Sequence, residues 1–110
     1  MRNKEILKLL KFTASLLELH NENEFKIKSY NSATFNLDKV KVQLSALSVQ
    51  ELEQISGIGK GIAAKIFEIS KHNTFAELEQ LIADTPVEVV QMLDIKGIGP
   101  KKVQIGRAHV

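Results

Sequence analysis

The sequence predicts an all-α protein, a compact helical bundle that contains two related helix, glycine turn, helix units. Three observations lead there. Apolar residues recur at intervals of three and four through six successive segments. No stretch alternates with period two for long enough to suggest a strand. The turn Ile55-Ser56-Gly57-Ile58-Gly59-Lys60 returns forty positions later as Ile95-Lys96-Gly97-Ile98-Gly99-Pro100, and each copy follows a short helical pattern. With 110 residues, 44% hydrophobic and 25% charged, the chain has ordinary globular proportions and the length of one small domain, or of a domain with the start of another.

The elements follow in order. Asn3 is a candidate N-cap for a first helix over Lys4 to Leu19, whose inner face is drawn by Ile6, Leu9, Leu10, Thr13, Leu16 and Leu17. The polar stretch His20 to Glu24 ends it. Ile27, Tyr30, Ala33, Thr34 and Leu37 form the face of a second helix, with Lys26, Lys28 and Lys39 on its other side. Ser48 with Glu51 three residues later is a capping-box pattern and opens a short third helix through Leu52. Ile62, Ile66 and Ile69 carry a fourth helix. Thr74 can cap a fifth through Phe75, Leu78, Leu81 and Ile82, and Pro86 fits the first turn of a sixth through Val89 and Met92.

Composition removes several function classes. The chain has no cysteine, hence no disulfide framework, no thiol nucleophile and no zinc or iron–sulfur site held by thiolates. His20, His72 and His109 lie far apart in sequence and form no ligand spacing, so no zinc is expected. No apolar run reaches the ~20 residues of a membrane span, and the start does not read as a signal peptide, so a cytoplasmic chain without a membrane partner is expected.

Net charge is +2, too small to argue for a nucleic-acid partner, but its distribution is uneven. From Asn73 to Ile95 there is no basic residue, while Glu77, Glu79, Asp84, Glu88 and Asp94 accumulate; from Lys96 to Arg107 there are four basic residues and no acid. Such runs are often only solvated helix faces. Beside the glycine turns they take on a second meaning. Glycine permits positive φ and close approach of an external group, and the amides at the head of the next helix carry the positive end of its dipole. Such a turn suits a phosphodiester oxygen and reads backbone rather than base sequence. Lys60 follows the first turn, and Lys101 and Lys102 follow the second. The central isoleucines, Ile58 and Ile98, can point back and anchor each turn, and the acidic segment between the turns is expected to face away from DNA.

Ile55 to Ala63 and Ile95 to Lys102 resemble the helix-hairpin-helix motif. The opening Asn3-Lys4-Glu5-Ile6, then Asn23-Glu24-Phe25-Lys26-Ile27-Lys28-Ser29-Tyr30-Asn31-Ser32-Ala33, then two hairpins forty residues apart, resemble the N-terminal region of bacterial X-family DNA polymerases over residues 3 to about 104. The resemblance implies a helical 8-kDa domain that holds the 5′-phosphate side of a DNA gap, and a second hairpin that opens the polymerase region and holds the primer strand. It places DNA contacts at Lys26, Gly57, Ile58, Gly59, Lys60 and Gly61, and at Gly97, Ile98, Gly99, Lys101 and Lys102. It further implies a monovalent cation, potassium or sodium, on the backbone carbonyls of Glu53, Ile55 and Ile58 and of Leu93, Ile95 and Ile98. Divalent metals would belong to a polymerase core that these residues do not include. The implied partner is gapped or nicked DNA, bound without sequence preference by a monomer.

Some members of that family are also 5′-deoxyribose-phosphate lyases, which use a lysine Schiff base. The matching lysine is Lys65, with Tyr30 in a supporting position. On a helical wheel Lys65 flanks the Ile62, Ile66, Ile69 stripe; a half-buried stem and a cationic neighbour such as Lys60 would favour the free amine. Where eukaryotic repair members carry a second lysine and a histidine, this chain has Gly61 and Phe25. Taken alone, a flanking lysine and a single tyrosine also suit a snorkelling surface residue and a core aromatic.

The expected organisation is a helical DNA-binding domain over residues 1–84, a second hairpin over 85–104 that begins a polymerase region, and a non-native tail over 105–110. Ile105-Gly106-Arg107-Ala108-His109-Val110 coincides with the translation of a common sequencing-adapter oligonucleotide, and Arg107 and His109 therefore carry no functional argument. The functional expectation is the DNA-binding part of a bacterial repair polymerase, with its nucleotidyltransferase centre elsewhere. The alternatives are a lyase acting through Lys65, and a non-enzymatic tandem hairpin module of a nuclease, helicase, uptake factor or protein-contact factor.

Overall fold

The computed structural model describes residues 2–93, and these form six α-helices, one 3-10 turn and no strand. They are α1 (Asn3–Leu19), α2 (Glu24–Leu37), α3 (Val49–Glu53), α4 (Lys60–His72), α5 (Ala76–Ala83) and α6 (Val87–Met92), with the 3-10 turn at Leu44–Ala46. Helix α1 is central, packing along α2 and touching α4 and α5, while α3 lies against α4. Besides the six expected residues, α1 buries Leu7, Phe12 and Ala14, because neighbours cover it on more than one side. Ile66 and Ile69 of α4 are fully buried, and each such side chain contributes about 1.5–3 kcal/mol of transfer free energy. Among the described residues no helix is long and apolar enough to cross a membrane.

The helix ends show where local sequence sufficed. Asn23 caps α2, its side-chain oxygen accepting from the Phe25 amide at 2.7 Å. Ser48 and Glu51 form the expected box: the Glu51 amide donates to Ser48 Oγ at 3.2 Å, and the Ser48 amide to the Glu51 carboxylate at 2.9 Å. Asn73, at φ 62°, ends α4 in the left-handed conformation.

Three expected caps differ. Asn3 is the first residue of α1 rather than its cap, which is Arg2. Its side chain turns to the chain after α2, donating to the Val42 carbonyl at 2.8 Å and accepting from the Leu44 amide at 2.9 Å. Thr74 lies one residue too early to cap α5, where Phe75 takes the cap position. Glu68 of α4 receives the Ala76 amide at 3.0 Å instead, and the Thr74 hydroxyl donates to Glu79 at 2.7 Å. Pro86, at ψ 139°, is the N-cap of α6 and not part of its first turn.

Residues 85–93 continue into the same core. Val90 is buried there, and the Thr85 hydroxyl donates to the Leu81 carbonyl at 2.6 Å. Its oxygen is left to accept from His20 Nε2 at 2.8 Å, which ties the end of α1 to the entry of α6.

Candidate nucleic-acid interface

The turn between α3 and α4 is built by one strained position and one anchor. The Ile58 amide donates to the Ile55 carbonyl at 3.0 Å, and Gly57 stands at φ +84°. A Cβ at Gly57 would overlap the end of the Asn36 side chain, which could swing aside, so it is chiefly the positive φ that favours glycine here. Ile58 is buried and holds the turn onto the core. Gly59 is then the N-cap of α4 in extended conformation, and its carbonyl accepts from the Ala63 amide at 2.9 Å. The first amides of α4 lack intrahelical partners by geometry.

Between this turn and α2 lies an open cleft of ≈ 630 Å³. Lys26, Lys28, Tyr30 and Asn36 line one side, and Gly57, Gly59, Gly61 and Lys65 the other. A Cβ at Gly59 or Gly61 would meet no atom within 4 Å. Nothing in the fold requires those two glycines to be small. Phe25, 80% exposed, stands at the rim.

Behind the cleft wall α5 supplies Glu77. Its carboxylate receives Lys26 Nζ at 2.5 Å and the Tyr30 hydroxyl at 2.5 Å, and Lys65 Nζ lies 3.4 Å away. The Tyr30 ring is buried, stacked on Phe75 with centroids 6.4 Å apart, and Lys65 Nζ sits 5.5 Å from its centroid.

A family model for the helix-hairpin-helix domain matches residues 1–75. The chain belongs to this family. It is also 32% identical over 103 residues to the DNA polymerase/3'-5' exonuclease PolX of Bacillus subtilis (strain 168). That match covers 94% of this chain and 18% of the relative, so the chain spans under a fifth of that protein's length. The likeness to the N-terminal region of a bacterial X-family polymerase thus rests on most of the chain as well as on its motifs.

Within this helix-hairpin-helix domain the structure gathers Lys26, Tyr30, Gly57, Gly59, Gly61 and Lys65 around one cleft. Lys60 is exposed at the head of α4, and Ile58 lies behind the turn. Ile95, Gly97, Ile98, Gly99, Lys101 and Lys102 lie outside the described residues, while Leu93 closes α6. Two expectations need correction. The acidic segment does not all face away, because α5 turns Glu77 towards the cleft lysines. Where the sequence predicts that a cationic neighbour such as Lys60 acts on Lys65, the charged group in contact with its Nζ, at 3.4 Å, is this carboxylate.

Electrostatics follow from that carboxylate. Burial alone would raise the Glu77 carboxyl, but hydrogen bonds from Lys26 and Tyr30, with the charge of Lys65, outweigh it and hold the group below the ordinary carboxylate value. Lys26 is raised chiefly by its bond to Glu77, against a smaller opposing effect of burial. Burial, then the Glu77 bond and charge, push the Tyr30 phenol far up. Tyr30 is therefore a neutral donor, and Lys26 stays cationic through the physiological range. Glu77, Asn36 and Lys28 are site residues that sequence reading missed, the helical pattern placing Lys28 only on the outer side of the second helix.

Proposed function

We propose that this chain binds the DNA phosphodiester backbone, without sequence preference, as the DNA-binding part of a bacterial repair polymerase. The observation that carries this reading is the open cleft, where the uncovered backbone at Gly59 and Gly61 lies beside Lys65 and opposite Lys26 and Lys28. A phosphate oxygen there can accept from the first amides of α4 while lysines balance its charge. The finer reading is that the cleft takes the 5′-phosphate side of a gap or nick, with a monomer on each site. Gapped duplexes that differ only in a 5′-phosphate or 5′-hydroxyl test it. The phosphorylated gap should bind more tightly, and affinity should fall with salt by a slope of roughly 0.7–0.9 per phosphate engaged. Equal affinities for the two ends refute the 5′-phosphate reading.

A monovalent cation, potassium or sodium, at the Glu53, Ile55 and Ile58 carbonyls is part of the proposal. Neutral carbonyl oxygens suit such an ion. The Ile55 oxygen, though it accepts from Ile58, keeps a second lone pair. Replacing potassium by tetramethylammonium at constant ionic strength should weaken binding.

One observation favours a second reading, 5′-deoxyribose-phosphate lyase. Lys65 Nζ opens on the same cleft, half-buried over Tyr30. Its free amine would condense with the sugar C1′ aldehyde, releasing water. Loss of the C2′ proton would then break the C3′–O bond and free the downstream strand as its phosphate. Borohydride trapping on incised abasic DNA should give an adduct that Lys65→Ala abolishes; an undiminished adduct in that variant sinks the assignment.

A further inference from the structure

Resting on the reading that the cleft receives a DNA 5′-phosphate, we propose that Glu77 determines its specificity, acting as an internal anion that competes with the incoming phosphate for Lys26 and Lys65. Three donors converge on this one carboxylate, the two ammoniums and the Tyr30 hydroxyl, at 2.5, 3.4 and 2.5 Å respectively for Lys26, Lys65 and Tyr30. All three donors belong to the cleft wall, whereas Glu77 stands behind it on α5. The arrangement is therefore an anion site with an anion already supplied by the chain.

The charge count sets the consequence. Of the three cleft lysines Glu77 touches two, Lys26 and Lys65, and this pair less one carboxylate leaves a net single positive charge, which matches a phosphodiester monoanion, with Lys28 outside the cluster. A terminal phosphate monoester carries about −1.5 to −2 near neutral pH and so is only partly balanced by the cluster. Glu77 thereby restrains the preference for a 5′-phosphate end over the diester backbone or a 5′-hydroxyl. It also keeps both ammoniums aimed at one place, since each retains two further N–H donors for a ligand.

Glu77→Gln separates these two effects. The amide oxygen takes the place of the oxygen that Lys26 meets and the NH2 group that of the oxygen Tyr30 meets, where it can donate to the hydroxyl oxygen, so the shape is kept while one negative charge and the ion pair with Lys65 are removed. The 5′-phosphate to 5′-hydroxyl affinity ratio on gapped DNA should rise about tenfold at 0.15 M salt, where only near charges act strongly. Glu18→Gln, the same charge change at an exposed position of α1, should leave the ratio as it is in the parent chain. A ratio in Glu77→Gln equal to or below the parent value overturns the proposal, as does an equal rise in Glu18→Gln. Thermal unfolding of each variant accompanies the titrations, and Glu77→Ala supplies a second measurement of the ratio if the glutamine variant folds poorly. Failure of the underlying reading looks different: the parent chain itself would then bind the 5′-phosphate and 5′-hydroxyl gaps equally or bind neither, whereas a parent ratio above one that Glu77→Gln leaves unchanged overturns this proposal alone.

Discussion

Gly61→Ala puts the close-approach argument to its sharpest test, because stability and binding should move in opposite directions. Gly61 is the second residue of α4, and a Cβ there meets no protein atom within 4 Å. Glycine inside a helix costs roughly 0.5–1 kcal/mol relative to alanine, through the larger freedom it loses on folding. Alanine should therefore stabilise the domain by up to about 1 kcal/mol. For a domain of this size that raises Tm by roughly 2–8 °C. The new methyl group projects into the cleft between the α4 amides and the lysines of α2. If a phosphate must approach those amides, accommodating the methyl costs about 1–2 kcal/mol, or roughly five- to thirtyfold in Kd. Urea or thermal unfolding measures the first effect, and fluorescence anisotropy with a gapped 5′-phosphate duplex the second. Higher stability with unchanged affinity refutes close approach at this glycine; lower stability refutes the open space on which the argument stands.

Other perturbations separate the fold from the site. Gly57→Ala should destabilise by about 1–2 kcal/mol, chiefly from positive φ with the Asn36 side chain displaced; an unfolding free energy within 0.5 kcal/mol of the parent contradicts it. Tyr30→Phe should cost about 1–2 kcal/mol in urea unfolding, since Glu77 loses one of three donors while the stacked ring on Phe75 remains. Stability should also depend on pH at both extremes. Glu77 has a depressed folded value, so its contribution is present above the ordinary carboxyl value of 4.5 and is lost as pH falls through the folded value. Tyr30 and Lys26 are raised above 10.0 and 10.5, so theirs is present below those values and lost as pH rises further. Glu77→Gln should flatten the acid limb, read as the urea midpoint between pH 6 and pH 3, and leave an alkaline limb from the burial of Tyr30.

The helices were legible because the information that makes them is local. The period of Ile6 to Leu17 and of Ile62 to Ile69, and the Ser48–Glu51 box, depend on residues three or four apart. The glycine turn was legible for the same reason, since a φ of +84° strongly favours glycine whatever lies elsewhere. The misassigned caps mark the limit of that information. Asn3 looks like a cap by its neighbours but serves Leu44, 41 residues away, and the amide expected to need Thr74 is satisfied by Glu68 from the preceding helix. Glu77 shows the same limit at the site. Along the chain it belongs to an acidic run without a cation; in space α5 folds back and lays it against Lys26, 51 residues earlier. A one-dimensional charge map cannot register that reversal, and neither can it register Asn36 beneath Gly57.

The first hairpin's glycines therefore fall into two physical kinds. Gly57 is held by the fold, for any side chain there must strain the backbone and displace the side chain of Asn36. Gly59 and Gly61 are held by nothing in the fold, and alanine at Gly61 would even improve the helix. Their smallness has a physical use only if something outside the chain comes close to the backbone at that point. The lysines set around the same opening give that something its charge, and Glu77, by already taking part of that charge, sets how much of it a phosphate can use. Net charge over the whole molecule carries none of this. The discriminating quantity is the local balance of two lysines and one carboxylate beside two uncovered glycines, which single substitutions change without disturbing the core.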